Sequence, residues 1–382
     1  MSKIKNMKWL AMEQSARGWD TEQIFSSAQG YFDNLVADIE AAQSTIVLAV
    51  YIFSLDHLGN KIASALKSAA DRGVKVRVVV DGVGSSQDGE SLARLLSPSN
   101  AEVRIFHPLP WYLNNYKWSI RTGGFLEKFI HFVTLMNQRD HRKVCVVDDN
   151  VAWCGSFNIS GDHLDSVIPW RDYGVRLTGS PVCNLVDNFD SVWFRREAAG
   201  LSNRLRYFRS NSSIRLRRLS NRLLVYRIGQ AKHRVWICSA YFSPSGAVIR
   251  AIKNAKHQGV DVKLIVADRS DVVLFPLLSS TYYADLLSLG MSIYCYQAGM
   301  LHAKCMLVDD QCIMGSSNLN HRSFYHDLEV DVVLSSQNSI ARLGSLLEED
   351  IANSHQLNRF DASLWSGSVL FGWVLRVIRY WM

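Results

Sequence analysis

The chain has 382 residues, of which 48% are apolar and 20% charged. That length allows two domains with substantial cores, and the composition excludes general disorder. Lys and Arg number 42 against 35 Asp and Glu, and the formal net charge of +7 favours anionic partners, either a membrane surface or nucleic acid.

Residues 1–12 are too short and polar to hold the apolar core of a signal peptide, and no apolar run approaches the roughly 18 residues of a membrane span. The first strong element is a buried-strand pattern, Ser44 to Phe53. A helical stretch follows from Gly59 to Arg72, with Ile62, Leu66, Ala69 and Ala70 at helical spacing. Gly73 is its expected C-cap, and Val74 to Val80 is the next strand. An aromatic insertion then occupies residues 107–139, with Trp111, Tyr112, Tyr116, Trp118, Phe125, Phe129 and Phe132 among Lys117, Arg121 and Lys128. This mixture suits an amphipathic helix over the core or an interfacial membrane segment.

The chain next reaches His141, Lys143 and Asp148, spaced H-x-K-x4-D, and then Gly155-Ser156-Phe157-Asn158. Asp172 follows in Trp170-Arg171-Asp172 and opens an apolar run. A basic stretch holding Arg204, Arg206, Arg209, Arg215, Arg217, Arg218 and Arg222 separates this half from the next.

The order then repeats. Arg234 to Phe242 is a strand, Ala247 to Gln258 a helix closed by Gly259, and Val260 to Val266 a strand. His302, Lys304 and Asp309 repeat the H-x-K-x4-D spacing, Gly315-Ser316-Ser317-Asn318 repeats G-S-x-N, and Glu329 opens the next apolar run. The halves differ in one place. Gly73 lies 68 residues before His141, whereas Gly259 lies 43 before His302, and the excess is the aromatic insertion.

The expected organisation is therefore an N-terminal domain over 1–200, a basic linker over 201–230, a C-terminal domain over 231–365 and an apolar amphipathic tail over 366–382. Each domain reads β-α-β-α-β and should form an α/β layer structure. The seven cysteines, at 145, 154, 183, 238, 295, 305 and 312, include no C-x-x-C pair. Neither a disulfide framework nor a zinc site is expected, and a reducing, cytoplasmic environment fits.

On a strand, alternate side chains share a face, so each H-x-K presents an imidazole beside an ammonium. Two such halves facing each other would surround one phosphodiester. Lys143 and Lys304, with the amides of Asn158 and Asn318 and the hydroxyls of Ser156 and Ser316, would stabilise the phosphoryl oxygens. One of His141 and His302 would attack phosphorus and the other would move the proton. No metal or other cofactor is called for. Asp172 and Glu329 are candidates to orient the imidazoles, with a strand-edge ion pair as the competing role. Asp148 and Asp309 complete the catalytic signature, although a strand-end position suits a local structural role. For Asn158 and Asn318, turn capping is the competing role.

The doubled H-x-K-x4-D with G-S-x-N resembles the phospholipase D superfamily. Within it, Val50-Tyr51-Ile52-Phe53, Asp81-Gly82-Val83-Gly84-Ser85, Trp170-Arg171-Asp172, Tyr241-Phe242-Ser243-Pro244 and Arg322-Ser323-Phe324 resemble the bacterial cardiolipin synthase subgroup. The resemblance spans about residues 45–335. It implies two pseudo-twofold-related α-β-α sandwich domains with the active site at their interface. It also implies a phosphohistidine intermediate and transfer of a phosphatidyl group from phosphatidylglycerol or a related lipid to a lipid alcohol, without metal. The expected setting is peripheral, on an anionic membrane surface at the cytoplasmic face of the inner membrane. Hydrolysis of phospholipid or nucleic acid is the alternative reaction, with nucleic acid the less favoured partner. The chain departs from the subgroup at Asp140 (often Asn), Asn320 (often Asp) and Gly155-Ser156 (often Gly-Gly).

Overall fold

The structure is a computed structural model that describes residues 18–109, 111–112, 117–119, 138–196, 205–272 and 275–358. Most of the aromatic insertion and all of the tail expected over 366–382 lie outside the described residues.

The first half contributes eight strands: β1 (Thr21–Phe25), β2 (Thr45–Val50), β3 (Lys75–Asp81), β4 (Ala101–Phe106), β5 (Val144–Val147), β6 (Val151–Gly155), β7 (Trp170–Arg171) and β8 (Gly174–Thr178). The second contributes β9 (Phe208–Ser210), β10 (Arg234–Ser239), β11 (Asp261–Ala267), β12 (Ser292–Tyr296), β13 (Met300–Leu301), β14 (Lys304–Val308), β15 (Gln311–Gly315), β16 (Val330–Leu334) and β17 (Ser354–Gln356). Seven strands form one sheet in the order β1-β8-β6-β5-β2-β3-β4. Eight form the other, in the order β17-β12-β11-β10-β14-β15-β16-β9. In each, three parallel strands adjoin a block of antiparallel ones. The second sheet thus repeats the first and adds β17, which is the doubled α/β architecture expected from the repeat.

Local chemistry sets these elements. The helix His57–Asp71 begins where the Asp56 carboxylate accepts the Gly59 N–H at 3.0 Å, and its Ile62, Leu66, Ala69 and Ala70 are buried. It ends at Gly73, whose φ of +97° favours glycine, and Gly259 ends the matching helix Gly246–His257 at +83°. Strands β2 and β10 are shorter than the apolar runs that predict them. Tyr51, Ile52 and Tyr241 leave the sheet and line a cavity instead.

The helices Ala28–Ala41 and His57–Asp71 pack on the outer face of the first sheet, and Ile214–Gln230 and Gly246–His257 on that of the second. The inner faces meet in one apolar cluster. Val144, Cys154 and Val175 join Cys305, Leu307 and Val330, with Phe189 and Leu343 from the helices Val182–Trp193 and Gln337–Ala352. Burial of this shared layer from water is what holds the halves face to face. Cys145 and Cys305 are buried free thiols within these cores. Among the described residues, no helix is long and apolar enough to cross a membrane.

The arginine-rich stretch expected as a linker is largely folded into the second half. β9 pairs with β16, and the helix Ile214–Gln230 buries Leu216, Leu223, Leu224 and Ile228. Several arginines serve that fold. Arg209 pairs with Asp331, and Arg227 donates to the carbonyls of Leu205 and Arg206 at 3.3 and 3.2 Å. A count of charges hid this apolar stripe.

Two exchanges tie the halves together. β7 runs parallel to β13, with the His302 N–H donating to Arg171 O at 2.9 Å. In the matching place Asp140 bridges to Leu328, and the His141 N–H donates to Leu328 O at 3.0 Å. Each motif histidine is thus hydrogen-bonded through its backbone to the residue just before the other half's acid.

Candidate active site

The exchanges carry the acids across the interface. Nδ1 of His302 lies 2.8 Å from Oδ1 of Asp172, and Nδ1 of His141 lies 3.2 Å from Oε2 of Glu329 and 3.1 Å from Ser316 O. Each carboxylate therefore meets the imidazole of the opposite half. With Nδ1 engaged, Nε2 is the free nitrogen of each ring. Both rings line one cavity of about 420 Å³, together with Asn158, Asn318, Tyr51, Tyr241, Arg139 and Arg322.

Lys143 and Lys304 are buried and do not themselves line the cavity, and each ammonium donates to the carbonyl of its own motif histidine, Lys143 at 2.9 Å. Tyr51 lies 5.5 Å from the Lys143 ammonium and Tyr241 6.0 Å from that of Lys304. Burial, followed by the charge of Lys304, pushes the Lys143 amine down to about 7, and burial pushes Lys304 down to about 8. Among the described residues neither ammonium forms an ion pair, and Asp172 and Glu329 act on both from a distance.

The two acids differ. Burial pushes Glu329 up to about 8, even though it accepts from Ser316 Oγ and, at 2.6 Å, from Ser323 Oγ. Burial also works to raise Asp172, but His302 and His163 outweigh it and hold this carboxyl well below the usual range. His302 itself lies near 4, lowered by burial and the lysines and raised by Asp172. His141 is held well below its ordinary value by burial, then by Lys143 and Lys304.

His163 is a participant that the motif reading missed. Its Nε2 accepts the Asn158 N–H at 3.1 Å, which leaves the proton on Nδ1, 3.1 Å from Oδ2 of Asp172. In the other half Ser323 takes that place, accepting the Asn318 N–H at 3.2 Å and donating to Glu329. The available signal was spacing: His163 and Ser323 each stand five residues after their asparagine.

Four residues of the expected set are placed elsewhere. Ser156 and Ser316 are fully buried behind the cavity rather than facing a phosphate. Ser156 Oγ accepts the Tyr173 N–H at 3.1 Å, beside Asp172, and Ser316 holds Glu329. Their glycines allow this approach. A Cβ on Gly155 would sit 2.5 Å from Tyr173 O, and one on Gly315 2.3 Å from Val330 O. Asp148 and Asp309 lie at the far ends of their strands, and neither lines the cavity. Asp148 accepts the N–H groups of Gln43, Ser44 and Thr45 at 2.7–3.0 Å, and Asp309 those of Lys232, His233 and Arg234 at 2.8–3.0 Å. The last acid of each signature thus anchors the start of the neighbouring strand.

Sequence comparison agrees with this geometry. The family described as "Cardiolipin synthase, PLD-like domain" matches residues 35–193 and 224–351. The chain belongs to this family. It is accordingly a phosphatidyltransferase of the phospholipase D superfamily. A cardiolipin synthase of Listeria monocytogenes is 28% identical over 354 residues, covering 88% of this chain and 70% of that protein. A minor cardiolipin synthase of Bacillus subtilis is 27% identical over 348 residues, covering 87% and 81%. Among solved structures, phosphatidylserine synthase of Haemophilus influenzae superposes with a TM-score of 0.68 at 12% identity, covering 96% of each chain. Polyphosphate kinase of Porphyromonas gingivalis superposes with a TM-score of 0.58 at 15% identity, covering 86% of this chain and 50% of that one. Both share the fold.

Proposed function

We propose that the protein makes cardiolipin by passing a phosphatidyl group from one phosphatidylglycerol to a hydroxyl of another. The observation that carries this reading is the meeting at one cavity of two imidazoles, each backed by an acid of the other half, with Lys143 and Lys304 buried close behind them. Nε2 of one imidazole attacks phosphorus, and the P–O bond to the head group breaks. The facing imidazole takes up a proton as the anionic phosphodiester binds beside it and offsets the burial and lysine charge that disfavour one, then gives that proton to the leaving oxygen, and glycerol departs. The second lipid's hydroxyl then attacks the phosphohistidine, its proton returns to the facing imidazole, and the P–N bond breaks. Lys143, Lys304 and the amides of Asn158 and Asn318 stabilise the non-bridging oxygens throughout.

The enzyme works on an anionic membrane surface at the inner face. Support comes from the basic balance of the chain and from apolar side chains beside the cavity. Val167 is 99% exposed three residues before the lining Trp170, and Val272, itself lining the cavity, is also exposed.

The test is purified protein with phosphatidylglycerol vesicles, and lipid products read by mass spectrometry. The wild type should form cardiolipin and release glycerol, and His141→Ala and His302→Ala should each abolish both. Undiminished cardiolipin from either variant would remove this reading.

A further inference from the structure

The cavity suits a phosphate, yet its lining includes one exposed carboxylate with no ion-pair partner among the described residues. Two acids line it, Asp327 and Asp271. Asp327 is spoken for: it pairs with Arg322 at 2.9 Å and accepts the Arg139 N–H at 3.2 Å. Asp271 has no Lys, Arg or His within ion-pair distance among the described residues. Its contacts there are the Tyr241 hydroxyl and Ser270 Oγ, at 3.4 Å, both on Oδ1, which leaves Oδ2 open. Tyr241 is in turn fixed against Phe275, with ring centroids 4.4 Å apart.

A carboxylate near a phosphoryl group is repulsive, and water reaching the exposed Asp271 weakens that repulsion without cancelling it. Such an acid is favourable only where the ligand also presents hydrogen-bond donors to it. The acid is also one-sided. Counted from the matching Gly73 and Gly259, the position of Asp271 corresponds to Ser85 in the first half. Ser85 is buried and turned inward: its Oγ donates to Tyr51 O at 3.0 Å and accepts the Phe53 N–H at 2.9 Å. The pseudo-twofold thus serves the phosphate, and the acid breaks it on the Tyr241 wall.

We propose that Asp271 determines head-group specificity. Its carboxylate accepts the donors of the alcohol that leaves the phosphatidyl group, hydroxyl or ammonium, and so favours lipids whose head groups carry them. This rests on the phosphatidyl-transfer reading above.

The experiment uses vesicles with a fixed excess of phosphatidylglycerol as acceptor and one trace donor labelled in its acyl chains. The donor is phosphatidylglycerol, phosphatidylethanolamine or phosphatidylmethanol, the last with no donor group on its head. Labelled cardiolipin is measured for the wild type, Asp271→Asn and Asp271→Ala. The wild type should prefer a donor-bearing head group over phosphatidylmethanol at least tenfold, and both variants should lose most of that ratio. Loss confined to the glycerol lipid assigns hydroxyl recognition, and loss confined to the ethanolamine lipid assigns ammonium recognition. Asp271→Glu should regain part of the ratio, which a defect of folding alone would not produce. Ratios unchanged in both variants would overturn the proposal. A wild type that labels no cardiolipin from any donor would instead remove the transfer reading beneath it.

Discussion

The Asp172 carboxylate and the His302 imidazole, 2.8 Å apart, come from opposite halves of the chain. Neither half therefore supplies the acid that faces its own motif histidine, and the inner apolar layer must form before either of those imidazoles is oriented. The two pairs should not be equivalent. Asp172 stays ionised and can stabilise positive charge on His302, whereas Glu329, pushed up to about 8, is mostly protonated at pH 7. Asp172→Asn should lower kcat about 10³–10⁴-fold, the scale of removing an orienting carboxylate. Glu329→Gln, which replaces an already neutral group, should cost about tenfold. Initial rates of cardiolipin formation measure both, and equal losses would contradict the asymmetry.

His163 is expected to act as a positioning residue through Asp172. His163→Ser copies the arrangement at Ser323, so the Asn158 N–H keeps an acceptor and the fold should persist. Asp172 then loses one of the two imidazoles that hold it ionised. Its carboxyl should titrate higher, and the acid limb of the kcat/KM profile should move to higher pH. A purely structural role would lower activity equally at all pH values and leave that limb in place.

The fold and the reacting groups were legible because both depend on short-range pattern. Apolar runs, the glycine after each first helix and the doubled H-x-K each report a local requirement. The crossing of Asp172 to His302 and of Glu329 to His141 was not legible, because it follows from how two sheets pack. The inward turn of Ser156 and Ser316 follows from strand pairing within each sheet, which brings Tyr173 and Val330 against the motif glycines. Asp271 gave no signal, since its matching position in the first half is Ser85 and the repeat therefore does not mark it. The helix Ile214–Gln230 was hidden by its own arginines, although Leu216, Leu223, Leu224 and Ile228 already marked a buried stripe.

The lysines predict a basic limb. An amine is charged below its pKa, so with Lys143 near 7 and Lys304 near 8 the free site loses positive charge as pH rises through that window. Glu329 ionises in the same window and adds negative charge, which acts in the same direction. Since kcat/KM reports the free enzyme, it should fall at least about tenfold from pH 7 to pH 9. Lys304→Arg should make this limb shallower, because a guanidinium remains charged while Lys143 and Glu329 still titrate, at some loss of rate from altered geometry. A kcat/KM that stays level from pH 7 to pH 9 in the wild type would contradict the assignment of these amines to phosphate binding.

Asp148 separates the signature from the chemistry. Its carboxylate is occupied by the N–H groups of Gln43, Ser44 and Thr45 and by Ser44 Oγ at 2.8 Å, and those bonds help hold it below the usual carboxylate range against the effect of burial. Residues 43–45 lead into β2, the strand that pairs with β5 immediately after Lys143. Losing the acceptor should therefore loosen the strand entry and leave the imidazoles in place. Asp148→Ala should cost about 0.5–1.5 kcal/mol of stability, the net scale of such a bond, because the exposed Gln43 and Ser44 donors it releases are taken up by water. Below its melting transition the variant should retain kcat within a few-fold, with the melting temperature read by calorimetry and the rate by cardiolipin formation. Asp309→Ala should behave alike, since it holds the entry to β10 in the same way. A thousandfold loss of kcat at unchanged melting temperature would return these acids to the reacting groups.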